Sequence, residues 1–324
     1  MRKIVRLRIC SFYLVIFAFF LQESAISQSS KYHLQSNPQD IRAAWSDSSI
    51  PHIFVVAHRA NTTYRDGLPS LPENSILAVE NAIRHGADVV EIDLKKTSDG
   101  HFVLMHDRDL DRTTTSSGPV SEKTLEEILE LNLVHNGKVT DERVPTLEEV
   151  LELVRGRSLI NLDHINPILE EVLPLVEELN MLDHAIIKTR NTPDEMVNRL
   201  ESFPIDEILF MPIISGHNYS DGDLIELIAE YQDKLGITAV ELIFNPENYD
   251  RMTEELFGSI HDMGIRVWIN TLWNGRLSGG LADEDIPAKT EEVFGSLLER
   301  GVTIIQTDQT SYLRSYITSP HYYR

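Results

Sequence analysis

The feature that most constrains this chain is an alternation. Short apolar runs recur along it, and most are separated by stretches whose apolar residues fall at helical spacing. The runs are Ile53–Ala57, Val89–Leu94, Phe102–His106, Ser158–Asp163, Ala185–Thr189, Glu207–Ile213, Thr238–Ile243, Arg266–Thr271 and Thr303–Thr307. Each reads as a buried strand. Asn74–His85 carries Ile76, Val79 and Ile83 on one helical face, with Asn74 expected as the N-cap and Gly86 as the stop. Thr124–Leu131 and Thr146–Arg155 both open on Thr-x-x-Glu, the signature of a capping box. Leu224–Leu235 and Thr290–Arg300 are further helices. Apolar strands alternating with helices predict an α/β fold: a parallel sheet covered by helices.

One run does not fit a simple alternation. Lys95–Gly100 is too short to carry a parallel crossover. Ser98-Asp99-Gly100 reads as a turn, so Phe102–His106 folds back as a hairpin arm on the second strand. Eight staves remain, which predicts a (β/α)8 TIM barrel, with residues 107–143 as a small insertion after the hairpin. A doubly wound open sheet is the alternative. It lacks support, because no Gly-x-Gly-x-x-Gly follows the first strand.

The N-terminal segment stands apart. Met1–Arg8 holds four basic residues, Ile9–Leu21 is apolar to weakly polar, and Ala25-Ile26-Ser27 is a small-x-small exit. This reads as a signal peptide over 1–27, cleaved near Ser27, with an uncleaved anchor as the alternative. It predicts an exported protein, periplasmic or secreted, with no stable membrane insertion after cleavage. No low-complexity linker divides residues 28–324, which read as one domain with a barrel core over about 53–317. Cys10, the single cysteine, lies in the segment removed, so thiol catalysis and thiolate metal sites are excluded. With 51 acidic against 29 basic residues, the net charge of -22 argues against a nucleic-acid partner and against adhesion to anionic membranes.

Polar residues gather where the strands end. His58-Arg59 follows the first strand, His106-Asp107 the hairpin strand, and Asp163-His164 the next. In a barrel these ends form the active face. Glu91 and Asp93 alternate with Val90, Ile92 and Leu94, so both carboxylates share the face opposite the apolar residues. If the apolar face packs on helices, the carboxylates point into the barrel. Uncompensated, they would cost several kcal/mol each there. One divalent cation of the oxygen-seeking kind, Ca²⁺ or Mg²⁺, offsets that cost.

On these residues the chain resembles the glycerophosphodiester phosphodiesterase family, within the phosphatidylinositol-phospholipase-like barrel group. The resemblance is carried by Ala57-His58-Arg59, Pro72-Glu73-Asn74-Ser75, Gly86–Asp93, Thr97–Gly100, Val103–Asp107, Arg112-Thr113-Thr114, Pro145–Leu151, Val267–Asn270 and Gly301–Asp308. It implies metal-dependent hydrolysis of a small-molecule glycerophosphodiester to glycerol 3-phosphate and an alcohol. It also implies His58 and His106 as the acid/base pair, Arg59 on the phosphate, and Glu91, Asp93 and Asp163 around the cation. Two departures stand out. Ala60 replaces the usual glycine, and Asp163-His164-Ile165 replaces Glu-x-Lys, leaving Lys188 or His164 to supply the lost phosphate contact. Glu241, Trp268 and Asn270, at later strand positions, are candidates for the substrate pocket. A phospholipase D-type enzyme acting on lysolipids and a non-catalytic ligand-binding barrel are the alternatives. A glycoside hydrolase fits less well, because Glu91 and Asp93 are adjacent on one strand and not on opposite sides of a sugar.

Overall fold

The computed structural model describes residues 38–319, apart from 62, 66, 67, 205 and 206. The segment read as a signal peptide lies outside the described residues. Among those described, no helix is long and apolar enough to cross a membrane.

All nine expected strands form: β1 (Phe54–Ala57), β2 (Val89–Lys96), β3 (Phe102–Leu104), β4 (Leu159–Asp163), β5 (Ala185–Thr189), β6 (Leu209–Ser215), β7 (Ala239–Ile243), β8 (Arg266–Asn270) and β9 (Ile304–Thr307). Their order is β1-β9-β8-β7-β6-β5-β4-β2, and β1 pairs β2 to close the ring. Eight strands are parallel. β3 lies antiparallel on β2, with Leu94 opposite Leu104. This is the TIM barrel expected from the alternation, and the hairpin expected from the short Lys95–Gly100 gap.

Period two sorts the side chains. Val90, Ile92 and Leu94 point outward into the layer shared with the helices. Phe54, Val56, Val89, Leu159, Ile186, Met211 and Trp268 fill the inside. The lower opening is sealed by a helix, Pro38–Ser46, whose Ile41, Ala44 and Trp45 join that inner cluster. Trp45 meets Phe54 and Trp268 edge-on, with centroids 5.2 and 6.1 Å apart. Arg266 lies at the same end, fully buried, and donates to the carbonyls of Ala44, Asp47 and Ile50. The plug leaves the opposite end, at the strand C-termini, as the open face.

Two local readings need correction. Ser75, not Asn74, caps the helix Ile76–Arg84: its hydroxyl accepts from the Ala78 amide at 3.0 Å. Asn74 adopts φ 55° and spends its amide side chain elsewhere. The insertion also contains more strand than its sequence suggested. Asn132–His135 pairs antiparallel with Lys138–Arg143 around Asn136-Gly137, both left-handed. That dipeptide supports a tight hairpin even when the flanking strands are short and half-exposed. Both capping boxes form, at Thr124 and Thr146.

Candidate active site

Glu91 and Asp93 face the barrel interior at 1% and 2% exposure. Asp93 pairs in register with Asp163 on β4. Oxygen atoms of Glu91, Asp93 and Asp163 all lie within 4.8 Å of one another. Three carboxylates this close repel one another, and Glu91 and Asp93 are buried while Asp163 is half-buried. Burial first, then Asp93, pushes Glu91 up to about 8. The only backbone donor to Glu91 in the site is the amide of Arg59, at 2.7 Å among the described residues. The donor set is all hard oxygen and fits a divalent cation such as Ca²⁺ or Mg²⁺.

The backbone turns sharply after β1 to present the next residues. Arg59 and Ala60 have φ 48° and 62°, a left-handed region that disfavours a β-carbon. The turn aims the Arg59 amide at Glu91 and its guanidinium at Glu73 (3.1 Å) and Asp93 (3.5 Å). Asn74 holds Asp93 from the other side. Its Nδ2 donates to Asp93 Oδ2 at 2.9 Å, and its Oδ1 accepts from the Asp93 amide at 3.1 Å.

His58 sits beside this cluster, with its Nδ1 3.0 Å from Asp308 Oδ1. Burial alone would lower its pKa. The Asp308 and Glu91 charges outweigh that and raise it. His106 is different. Its Nδ1 lies 2.7 Å from Asp107 Oδ1, yet burial dominates and lowers its pKa. Arg112, from the insertion, binds Asp107 and Glu73 together, at 2.6 Å to each. An ionic chain thus runs from His106 through Asp107, Arg112 and Glu73 to Arg59. His164 has φ 59° and places its ring 4.9 Å from that of His106, with Nδ1 3.3 Å from Asp93 Oδ1.

The structure therefore brings together His58, Arg59, Glu91, Asp93, His106 and Asp163. It places the remaining candidates differently. Lys188 is buried, bonded to Glu241 at 2.7 Å and to Gln306 at 3.3 Å, and lies 3.8 Å over the Trp268 ring. Asn270 donates to Glu241 at 2.8 Å and accepts from the Trp268 indole. These four contact one another in a layer inside the barrel, and of them only Lys188 lines a cleft. Ile165, at 1% exposure, faces the core.

Sequence reasoning gave no role to Asp308, Glu73 or Arg112. All three lie inside the stretches that carry the resemblance, but their partners are distant in sequence. Two clefts open on this face. One, about 370 Å³, is lined by His58, Arg59, Glu73, Arg112, Trp273 and Asp308, with the Asn136-Gly137 hairpin overhanging it. The other, about 450 Å³, borders the carboxylate cluster at Asp163 and also includes Lys95 and Ile213.

Comparison with known proteins gives the family and the fold. The model of the "Glycerophosphoryl diester phosphodiesterase family" matches residues 58–310. A Mycobacterium tuberculosis protein named "Probable glycerophosphodiester phosphodiesterase 1" is 46% identical over 88 residues, 27% of this chain and 30% of that protein. A "Glycerophosphodiester phosphodiesterase" from Caldanaerobacter subterraneus is 41% identical over 95 residues, 29% of this chain and 37% of that one. The chain thus spans about a third of the length of the curated relatives it matches. Among solved structures, a glycerophosphoryl diester phosphodiesterase from Parabacteroides distasonis superposes with a TM-score of 0.66 at 24% identity, over 87% of this chain and 91% of that chain. An Oleispira antarctica phosphodiesterase, solved with the product sn-glycerol-3-phosphate, gives 0.60 at 22% identity, over 82% and 97%. These likenesses show the same barrel. The chain belongs to the glycerophosphoryl diester phosphodiesterase family.

Proposed function

We propose that this protein hydrolyses glycerophosphodiesters to glycerol 3-phosphate and an alcohol, using a divalent cation and the histidine pair His58 and His106. The observation that carries the reading is the triad Glu91, Asp93 and Asp163, gathered within 4.8 Å of one another beside two histidines that each face an aspartate.

Each group has a chemical task. A phosphodiester is anionic and repels a nucleophile until its non-bridging oxygens are neutralised. Arg59, steadied by Glu73, provides one positive charge at the rim. A cation held by Glu91, Asp93 and Asp163 would polarise the phosphoryl group when bound. The attacking hydroxyl must lose a proton, and the departing alkoxide must gain one. His58 and His106 between them move those protons, one giving and one taking. Asp308 fixes the tautomer of His58, and Asp107 that of His106. In the balanced reaction, water oxygen bonds to phosphorus, the bond from phosphorus to the alcohol oxygen breaks, and the alcohol leaves protonated.

The complete constellation supports an enzyme over a non-catalytic barrel. The N-terminal pattern over residues 1–27 supports export. The test is phosphorus NMR of glycerophosphocholine incubated with the protein and Ca²⁺ or Mg²⁺. The proposal expects glycerol 3-phosphate. Phosphocholine as the product would place the cut on the other side of phosphorus and overturn it.

A further inference from the structure

Asp283 has no task in the chemistry above, yet it is buried at 2% exposure and its carboxylate is gripped by three donors. Oδ1 accepts from the hydroxyls of Thr271 and Thr307, at 2.6 Å each. Oδ2 accepts from the backbone amide of Asp308 at 2.7 Å. The Asp283 amide in turn donates to the Thr271 carbonyl at 2.9 Å. One residue thus ties the ends of β8 and β9 to the loop 271–283. No cation offsets its charge among the described residues; burial, then the Asp308 charge, raises its pKa to about 7.

Both things that Asp283 holds flank His58. Asp308 is half-buried, and its Oδ1 lies 3.0 Å from His58 Nδ1 and 3.3 Å from Asn61 Nδ2. The loop supplies Trp273, whose ring stands edge-on to the His58 ring with centroids 6.0 Å apart. That loop closes on itself: the Gly280 amide donates to the Gly275 carbonyl at 2.8 Å, and a β-carbon at Gly275 would lie 2.3 Å from the Gly280 carbonyl carbon. Its middle is pinned to Phe244, whose carbonyl accepts from the Gly279 amide at 2.8 Å. Asp283 pins its end.

We propose that Asp283 is a positioning residue: by clasping the Asp308 amide and the end of the 271–283 loop, it holds the Asp308 carboxylate on His58 and so fixes the imidazole for proton transfer. This rests on the phosphodiesterase reading above and adds to it a residue that acts through Asp308.

The test is a mutant cycle with glycerophosphocholine and Ca²⁺ or Mg²⁺, read together with the tautomer of His58. Asp283→Ala removes the clasp. Asp283→Asn keeps its shape, since the side-chain oxygen can accept from the Asp308 amide while the NH₂ donates to the threonine hydroxyls. Asp283→Ala should lower kcat about 10-fold or more with KM within about two-fold, and Asp283→Asn should recover most of that loss. In an Asp308→Asn background, Asp283→Ala should cost less than about three-fold further, because the group it positions is already disabled. Thr271→Val, which removes one of the two hydroxyl contacts, should lower kcat about two-fold or more, and it replaces Asp283→Ala in the cycle if that variant does not fold. Nitrogen NMR of histidine-labelled protein in alkaline buffer shows which His58 ring nitrogen carries the proton and needs no turnover. Wild type and Asp283→Asn should hold it on Nδ1, and Asp283→Ala should show both tautomers. Losses that multiply in the double variant, a raised KM at unchanged kcat, or a His58 tautomer indifferent to Asp283→Ala and Thr271→Val overturns the positioning and leaves the phosphodiesterase reading intact. No glycerol 3-phosphate from the wild type overturns that reading, and the tautomer then decides the clasp alone.

Discussion

Removing the cation should reverse the usual effect of pH on a carboxylate. Glu91 is pushed up to about 8 by burial and by Asp93, against about 4.5 when unfolded. The cation-free folded state therefore binds more protons than the unfolded chain between those values. Stability then falls as pH rises through that window. A shift in this direction corresponds to a penalty on the order of a few kcal/mol, fully developed above pH 8 and absent below about pH 4.5. Asp283, raised to about 7 by burial and by Asp308, adds to the same trend. A bound cation satisfies the Glu91 charge and removes its part of the penalty. The assay is urea unfolding of the chelated protein from pH 5 to 8.5, repeated with Ca²⁺ and with Mg²⁺. Glu91→Gln isolates the residue. It should flatten much of the slope and remove most of the stabilisation by cation at pH 8. A chelated wild type equally stable at pH 5.5 and 8.5, or a Glu91→Gln protein that cations still stabilise fully, would refute this account of the triad.

The remaining predictions concern neighbouring groups. Asp88 is buried, and although burial opposes its charge, Arg314 at 2.7 Å and His52 at 3.3 Å lower its pKa to about 2. Its stabilisation, about 2 kcal/mol, is present above pH 4 and is lost as pH falls toward 2, so Asp88→Asn should lower stability at pH 7 but not at pH 2. Lys188→Ala should cost about 3–5 kcal/mol in urea unfolding, because it leaves Glu241 charged and unpaired in the barrel; a raised KM at unchanged stability would instead make Lys188 a substrate contact. Asp308→Asn should lower kcat roughly 10²–10⁴-fold with little change in KM, since it disturbs the His58 tautomer without touching the phosphate.

Much of this was legible in the sequence because it was local. The nine apolar runs become nine strands, and the period-two pattern of Val90 to Leu94 puts Glu91 and Asp93 inside the barrel. The Lys95–Gly100 gap identified the hairpin by length alone. What stayed hidden depends on contacts between distant parts of the chain. Asp308 reaches His58 across 250 residues, and nothing around Asp308 advertises that partner. Arg112 serves Asp107 and Glu73 from an insertion without strong periodicity. The helix Pro38–Ser46 closes the barrel floor, yet it precedes the first apolar run and has no partner nearby in sequence. Asn74 looked like a cap because it precedes a helix; its left-handed backbone serves Asp93 instead. Lys188 lies at a strand end, as the substrate contact was expected to, but Glu241 and Gln306 already hold it.

The central claim is that a cation on Glu91, Asp93 and Asp163 works with the two histidines on a glycerophosphodiester. The direct measurement is release of glycerol 3-phosphate from glycerophosphocholine by the chelated protein, then after adding Ca²⁺ or Mg²⁺, beside His58→Ala and Glu91→Gln. The account predicts no release with chelator, release restored by one or both cations, and none from either variant. Release that persists with chelator present, or that survives Glu91→Gln, would contradict it.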